Sequence, residues 1–410
     1  MVNQTMNPKL ILCLTLVLGG CFSIAYADVP SSDTREVVAG NTEFAVDLHG
    51  KLRTREGNVC FSPYSISTAL AMTCGGARGE TAKQMAQTLH FNLPTDKLHP
   101  AFAALQATLS AVQQKGQVKL AVANSLWPQE GFAFLPDYLA LCRKCYSTSI
   151  TPVDYAGHTE AGRKTINDWV EARTNRKIVE LLRPGMISSS TRLVLVDAIY
   201  FKGNWASQFK AELTESEPFH VSAERSTGAP LMRQTGDFRY AESPGLQVLE
   251  LPYVGGDLSM LLLLPRKVDG LGNLEAELTT QNLTSWTANR QSHKVEVFLP
   301  KFKLTSEFSL KVTLAALGMS DAFSGRADFS GMDGRKDLFF SDVIHKAFVE
   351  VNEEGTEAAA ATATVMVGRA APSNPQPIPV FRADHPFLFL IRDNRNGSVL
   401  FLGRVTDPTQ

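Results

Sequence analysis

A run of small residues directly follows a strand-forming segment near the C-terminal end of the chain. Residues 343–351 are rich in β-branched and aromatic side chains, which favour a strand. Between Gly355 and Arg369 the chain is mainly alanine, threonine and valine, with a single charge at Glu357 and no proline. Successive side chains of a strand face opposite sides of a sheet, and here both sides would be small or apolar apart from Glu357. The segment is therefore able to become an internal strand, whereas the proline-rich stretch after it is not.

Three motifs carry a resemblance to one protein family. The sequence FSPYSI occupies residues 61–66, and ADHPFLFLI occupies residues 383–391. The third motif leads into the small-residue run and consists of Glu353, Glu354, Gly355, Thr356, Glu357, Ala358, Ala359, Ala360 and Ala361. These motifs resemble the early helix start, the C-terminal strand and the hinge of the serpins, the serine-protease inhibitor family. They occur in the family's order, and the resemblance covers nearly the whole chain after residue 27.

The pattern of predicted elements indicates an α+β fold, because helices and antiparallel strands alternate without βαβ regularity. The resemblance implies the serpin architecture of three β-sheets, about nine helices and an exposed reactive-centre loop. The chain has 410 residues, but no Gly/Ser/Pro linker, repeat or charge block divides it. We therefore expect residues 28–410 to form a single domain.

Hydrophobic periodicity and turn signals locate the individual elements. Glycine at residue 397 follows Asn396, a strong hairpin signal between two strands. The predicted helices are 41–52, 65–72, 80–89, 135–141, 161–182 and 310–317. The predicted strands are 118–127, 192–202, 246–253, 258–264, 294–304, 387–392 and 398–405.

The N-terminal segment resembles an export signal. Lys9 precedes an apolar run over residues 10–18, and Ala25-Tyr26-Ala27 offers a small-x-small cleavage site. Residues 1–27 are therefore predicted to be a signal peptide, and the protein to be secreted and extracellular. The alternative is a bacterial lipoprotein anchored at Cys21, because Leu18-Gly19-Gly20-Cys21 resembles a lipobox.

Four cysteines lie beyond this leader, too few in so long a chain for a disulfide framework. Cys142 and Cys145 form a C-x-x-C motif, which is found at redox and metal sites. The preceding residues have a helical pattern, however, and no second pair of ligands accompanies the motif. We interpret these cysteines as structural, and their oxidation state is left open.

The sequence contains none of the common catalytic signatures. There is no G-x-S-x-G, H-E-x-x-H or Walker loop, and the eight histidines show no metal-ligand spacing. The net charge of −1 provides no general attraction for nucleic acid. We expect a monomeric protein that is not an enzyme and uses no cofactor.

The resemblance implies a suicide-substrate mechanism. A protease attacks the loop and forms an acyl-enzyme, and the released segment then inserts into the main sheet beside residues 343–351. In inhibitory serpins the distance from the hinge to the cleaved bond is nearly fixed, and fourteen residues beyond Gly355 is Arg369. Arg369–Ala370 is the predicted reactive bond, and its cationic side chain suits trypsin-like proteases. Val367 and Gly368 would instead admit an elastase-like enzyme.

The resemblance also assigns residues that control insertion. Ser62, Ser65 and His345 match the family's shutter, and Asp197 stands where the family usually has asparagine. We hypothesise that Asp197 forms a hydrogen bond with His345 and holds the sheet closed more tightly. At the upper end, the breach, the matching residues are Trp205 and the ion pair of Lys301 with Glu353.

Two other functions remain open at this stage. A non-inhibitory serpin would act as a carrier or chaperone, and a cross-class serpin would inhibit cysteine proteases. No strong heparin site is expected, because residues 80–119 contain only four lysine or arginine side chains, which are Lys83, Lys97, Lys115 and Lys119. Asn282 begins an N-x-T pattern that could carry a glycan in a eukaryotic source.

Overall fold

The structure of the protein is a computed structural model that describes residues 30–115, 118–148, 150–356 and 377–410. The predicted leader, residues 1–27, lies outside these ranges, as do residues 357–376. The α-helices of the described residues are α1 (Ser32–Leu52), α2 (Pro63–Cys74), α3 (Gly79–Thr88), α4 (Thr95–Gln114), α5 (Pro136–Tyr146), α6 (Tyr155–Arg173), α7 (Leu271–Glu277), α8 (Thr280–Ala288), α9 (Lys311–Ala316) and α10 (Ser330–Asp333).

Strands account for the rest of the regular structure apart from two short 3₁₀ turns. They are β1 (Val59–Phe61), β2 (Val118–Pro128), β3 (Leu193–Asn204), β4 (Glu215–His220), β5 (Ser226–Glu242), β6 (Leu246–Pro252), β7 (Leu258–Pro265), β8 (Gln291–Pro300), β9 (Phe302–Ser309), β10 (Asp342–Val351), β11 (Gly355–Thr356), β12 (Val380–Arg382), β13 (Phe387–Asp393) and β14 (Val399–Val405).

The smaller sheet has five strands in the order β2-β3-β11-β10-β9. Strand β3 is buried along nearly its whole length because both faces of the sheet are covered. Leu195 and Ile199 face the main core, whereas Val194 and Val196 pack with Ile166 of α6 on the opposite face. A strand inserted into this sheet would therefore need small or apolar side chains on both faces.

The larger sheet has nine strands and contains β5, which joins two regions. Residues 226–231 of β5 pair with β4, residues 231–240 pair with β8, and the last four residues, 239–242, pair with β6. The expected α+β arrangement of helices and mostly antiparallel strands is observed. The strands form two hydrogen-bonded sheets rather than three, because β5 runs continuously through both regions of the larger sheet. The described residues also contain ten α-helices rather than about nine.

Several element predictions are confirmed. Strands β6 and β7 pair antiparallel, and β13 and β14 form the expected hairpin around Gly397, whose φ is 81°. Helices α2, α3 and α9, together with strands β2 and β3, lie within a few residues of their predicted bounds.

Other predictions are wrong at their boundaries. The expected helix 161–182 ends at Arg173, because Asn175 and Arg176 adopt left-handed φ values of 52° and 59°. The expected strand 294–304 is interrupted at Lys301 and divides into β8 and β9, which belong to different sheets. Helix α1 begins at Ser32 rather than at residue 41, because Ser31 caps it by accepting a hydrogen bond from the Thr34 N–H.

Candidate functional site

The centre of the smaller sheet is a seam between β3 and β10. These strands pair in parallel from Val194 opposite Asp342 to Tyr200 opposite Phe348. Above that point β11 lies between them, so that Thr356 pairs with both Gly203 of β3 and Val351 of β10. The chain that leads into residue 357 therefore already occupies the top of the seam as a short antiparallel strand.

Gly355 is required for this arrangement. A Cβ atom at this position would lie 2.1 Å from the carbonyl oxygen of Gly203 and 2.6 Å from Cα of Asn204. Its φ of 155° is also unfavourable for residues with a side chain. Any larger residue would displace β11 from β3.

Helix α2 brings two serines beneath the seam. Ser62 is its N-cap, accepting a hydrogen bond from the Ser65 N–H at 3.1 Å, and Pro63 occupies the first turn. Both serines are fully buried. The local sequence Ser-Pro-x-Ser thus fixes the helix start and points polar groups at the sheet.

His345 crosses the seam with a hydrogen bond at each ring nitrogen. Its Nε2 accepts from the Ser62 N–H at 3.0 Å, and its Nδ1 lies 3.1 Å from Oδ2 of Asp197. Because a backbone N–H can only donate, Nε2 carries no proton and Nδ1 donates to Asp197. The ring therefore joins α2, β10 and β3.

Asp197 is fully buried, and its carboxylate contacts Ser65 and His345. Its Oδ1 accepts a short hydrogen bond from the Ser65 hydroxyl, which also lies 3.1 Å from Oδ1 of Asn124 on β2. Asn124 in turn donates from Nδ2 to the Ser65 carbonyl oxygen at 3.0 Å. Hydrogen bonds to a buried carboxylate are stronger than neutral ones, so this network resists separation of β3 from β10.

An aromatic pair supports the top of the seam. The rings of Trp205 and Tyr253 stack with centroids 4.7 Å apart. Trp205 Nε1 donates to the carbonyl oxygen of Asn352 at 3.0 Å, and the Tyr253 hydroxyl lies 2.8 Å from the hydroxyl of Thr356. The pair thereby contacts both ends of the turn between β10 and β11.

Lys301 and Glu353 form the expected ion pair next to this turn. The Lys301 Nζ lies 3.0 Å from Oε2 of Glu353, and Thr214 donates to Oε1 at 2.9 Å. Burial raises the pKa of Glu353, but hydrogen bonds from its own backbone, Lys301 and Thr214 outweigh it, so the pKa lies below its ordinary value. The carboxylate is thus charged at neutral pH.

The structure brings the predicted shutter residues into one network and the predicted breach residues into a second. The expected hydrogen bond between Asp197 and His345 is present. Sequence reasoning missed four participants, Asn124, Thr214, Tyr253 and Asn352, because nothing in their local patterns distinguishes them from other polar or core residues. Of the predicted hinge, residues 353–356 are described, whereas Glu357, Ala358, Ala359, Ala360 and Ala361 lie outside the described residues. Arg369 and Ala370, which form the predicted reactive bond, also lie outside them.

The C-x-x-C motif lies on α5. Cys142 and Cys145 are both buried with free thiols, and burial raises the pKa of Cys142 to about 11. A protonated thiol is a poor nucleophile and metal ligand. Within the ranges that the structure covers, no three His, Cys, Asp or Glu side chains are grouped so as to hold a metal ion.

Comparison with known proteins identifies the family. The model of the family described as Serpin (serine protease inhibitor) matches residues 39–408. The chain belongs to the serpin family. A leukocyte elastase inhibitor from Xenopus tropicalis is 45% identical over 376 residues, covering 90% of this chain and 98% of that protein.

Solved serpin structures agree with this fold. Uncleaved ovalbumin is 32% identical and superposes with a TM-score of 0.80, covering 91% of this serpin and all of ovalbumin. Human thyroxine-binding globulin complexed with its hormone is 30% identical with a TM-score of 0.83, covering 92% of this serpin and 100% of that chain. Among the described residues, no helix has the length and apolar character needed to cross a bilayer.

Proposed function

We propose that this serpin is a secreted suicide-substrate inhibitor of trypsin-like serine proteases that is cleaved at Arg369–Ala370. The observation that carries the proposal is β11, which continues directly towards residue 357 between β3 and β10. Cleavage would release this strand to extend downward through the seam. The protease, held as an acyl-enzyme, would be carried along and deformed before water could release it.

The register of β11 supports one particular inserted state. Continued by six residues from Thr356, it brings Thr362 between His345 and Asp197. The same parity contains Ala358, Ala360, Thr362 and Thr364, which would face the core beside Val349 and Val343. Small side chains on this parity fit a buried position without overpacking. Insertion thus replaces the hydrogen bond between His345 and Asp197 with contacts to Thr362.

The energy available is comparable with the stability of a protease. About 14 inserted residues at ~3.3 Å each would span ~45 Å. Their hydrogen bonds, at a net ~1 kcal/mol each, would stabilise the inserted form by more than ~10 kcal/mol. A typical protease is stable by only ~5–15 kcal/mol. The uninserted loop must therefore be the higher-energy starting state.

We further propose that the protein is exported and acts as one domain over residues 28–410. The support is the sequence of residues 1–27, with its apolar run and its small-x-small site before Asp28. Anchoring through Cys21 is the alternative. Mass spectrometry of the mature N-terminus separates the two, since secretion predicts a start at Asp28 and anchoring predicts a lipid on Cys21.

A second target class is favoured by the names of the relatives. Several relatives, including those from Xenopus tropicalis and Homo sapiens, are named leukocyte elastase inhibitor. Elastases prefer small side chains at the cleaved bond, and Val367 and Gly368 precede Arg369 in this chain. Elastase-like proteases are therefore the alternative target.

Incubation with trypsin, followed by a denaturing gel and mass spectrometry, tests the proposal. A complex that resists denaturant, with cleavage after Arg369, is expected. Arg369→Ala should lose the trypsin complex, and a complex of the wild type with pancreatic elastase, cleaved after Val367 or Gly368, would indicate the alternative target. Cleavage of the wild type by both enzymes without any stable complex would contradict inhibition and favour a carrier or chaperone.

A strong glycosaminoglycan site is not part of the proposal. Lys83 already pairs with Glu80, and Lys115 pairs with Asp257 at 2.6 Å. These contacts leave few unpaired cations in the region where some serpins bind heparin. Inhibition rates should accordingly change little when heparin is added.

A further inference from the structure

A cleft on the larger sheet contains more cationic side chains than its acidic neighbours neutralise. Its volume is about 440 Å³, and its lining includes Arg239 and Arg392. Strand pairing places Arg239 opposite Glu250, Glu250 opposite Leu261 and Leu261 opposite Leu390. Since alternate residues share a face, Arg392 projects from the same face as Arg239.

A third arginine, Arg290, neutralises the carboxylate of Glu250. Arg290 follows α8 and forms a short ion pair with Glu250, and both side chains are almost completely buried. Burial and the guanidinium groups of Arg392 and Arg239 lower the pKa of Arg290, although Glu250 opposes them. Glu250 is therefore already paired with Arg290, and it does not neutralise the charges of Arg239 and Arg392.

Arg392 has an unused donor in this cleft. Its Nε is buried and has no hydrogen-bond partner within the described part of the chain. A buried donor without a partner is unfavourable, because it has lost its hydrogen bonds to water without gaining others. The remaining carboxylate of the lining, Asp237, is exposed at the cleft. The arrangement suits an incoming anion that accepts from Arg392.

We propose that this cleft binds a small molecule through a phosphate group, held by Arg239 and Arg392. Arg239 on β5 and Arg392 on β13 are separated by β6 and β7, but both line the cleft and both act on Arg290. Together they offer more N–H donors than one planar carboxylate accepts, and the three terminal oxygens of a phosphate group accept more of them. Pro252, on the same face as Glu250, also lines the cleft and provides an apolar wall for the rest of the molecule. The cleft volume lies within the range of small-molecule sites. This site is independent of loop insertion and of the protease that is inhibited.

Isothermal titration calorimetry of the full chain with inorganic phosphate and with phenyl phosphate, at constant ionic strength set by chloride, tests the site. Wild-type protein should bind both, and phenyl phosphate more tightly because of the apolar wall. Tighter binding of inorganic phosphate would overturn the assignment of an organic phosphate in favour of the free ion. Absence of binding to either would overturn the site.

Three variants sharpen the test. Arg239→Gln, at an exposed position, and Arg392→Gln should each weaken phosphate binding by about tenfold or more, through loss of charge-assisted hydrogen bonds. Asp237→Asn should tighten binding, because it removes a repulsive charge. Arg233→Gln is the matched control, since Arg233 lies on the same strand but pairs with Glu296 outside the cleft. Unchanged affinity in Arg239→Gln, or an equal loss in the control, would overturn the proposal.

Discussion

His345 donates a hydrogen bond from Nδ1 to Oδ2 of Asp197 over 3.1 Å, from β10 to β3 across the seam. Both side chains are fully buried. In the insertion that we propose, the register of β11 would carry Thr362 to the level of these two residues. This hydrogen bond is therefore in the path of insertion, and its strength should influence the rate at which the sheet opens.

Asp197→Asn should accelerate insertion. An asparagine keeps the size and one acceptor, but it replaces a charge-assisted hydrogen bond with a neutral one that is weaker by about 1 kcal/mol. The rate of formation of the denaturant-resistant protease complex should rise about fivefold. Glu350→Gln, which removes a carboxylate from β10 outside the network, is the control and should leave the rate unchanged. An unaltered rate together with an unaltered Tm in Asp197→Asn would refute the role assigned to the bond.

Thr362→Glu should convert the inhibitor into a substrate. The inserted strand would carry a buried and unpaired charge to the level of His345 and Asp197, which costs several kcal/mol. Trypsin should then cleave the variant completely without forming a stable complex, as seen on a denaturing gel. Thr362→Ser keeps the hydroxyl and should inhibit as the wild type does. Full inhibition by Thr362→Glu would show that the register proposed for insertion is wrong.

The ion pair of Lys301 with Glu353 predicts a pH dependence of stability. The pKa of Glu353 is lowered in the folded protein, so its contribution is fully present above the ordinary pKa of glutamate, about 4.3. That contribution is lost as the pH falls through the lower pKa of the folded state. The Tm of the wild type should therefore fall more steeply below about pH 4.3 than that of Lys301→Met. Parallel Tm curves for the two proteins would contradict the assignment.

Lys346, on β10, connects the segment that follows α6 to the smaller sheet through its side chain. Its Nζ donates to the carbonyl oxygen of Val179 at 3.0 Å and lies 3.3 Å from the carboxylate of Glu307. Lys346→Met keeps the apolar stem but removes these contacts, and it should destabilise the protein by about 1–3 kcal/mol. Hydrogen exchange should increase in residues 176–182. Lys303→Met, on the neighbouring strand, should leave that exchange unchanged, and equal exchange in the wild type and Lys346→Met would contradict this role.

The sequence predicted the fold class and many elements because those depend on local patterns. The continuous apolar run of β3, the Asn396-Gly397 hairpin and the Ser-Pro start of α2 are each visible in a few adjacent residues. The hydrogen bond from His345 to Asp197 could be predicted only through resemblance to a family, since its partners are 148 residues apart. The division of residues 294–304 into two strands depends on sheet assignment, which no local pattern around Lys301 specifies.

Residues that serve the site through tertiary contacts were not predictable. Tyr253 has the sequence context of an ordinary core aromatic, yet it stacks on Trp205 and contacts Thr356. Thr214 and Asn124 similarly acquire their roles only when distant strands meet. The arginine cleft has the same origin, because Arg239 and Arg392, on strands separated by β6 and β7, line one cleft through the tertiary fold rather than through any motif.

The most direct test of the account compares the melting of intact and cleaved protein. Limited proteolysis within residues 358–369, by a protease that the serpin does not inhibit, would release the strand without a tethered enzyme. Calorimetry of the nicked protein should then show a Tm higher by at least about 10 °C, which corresponds to more than ~10 kcal/mol gained on insertion. A nicked form that melts at or below the temperature of the intact form would contradict insertion of the loop as the source of inhibition.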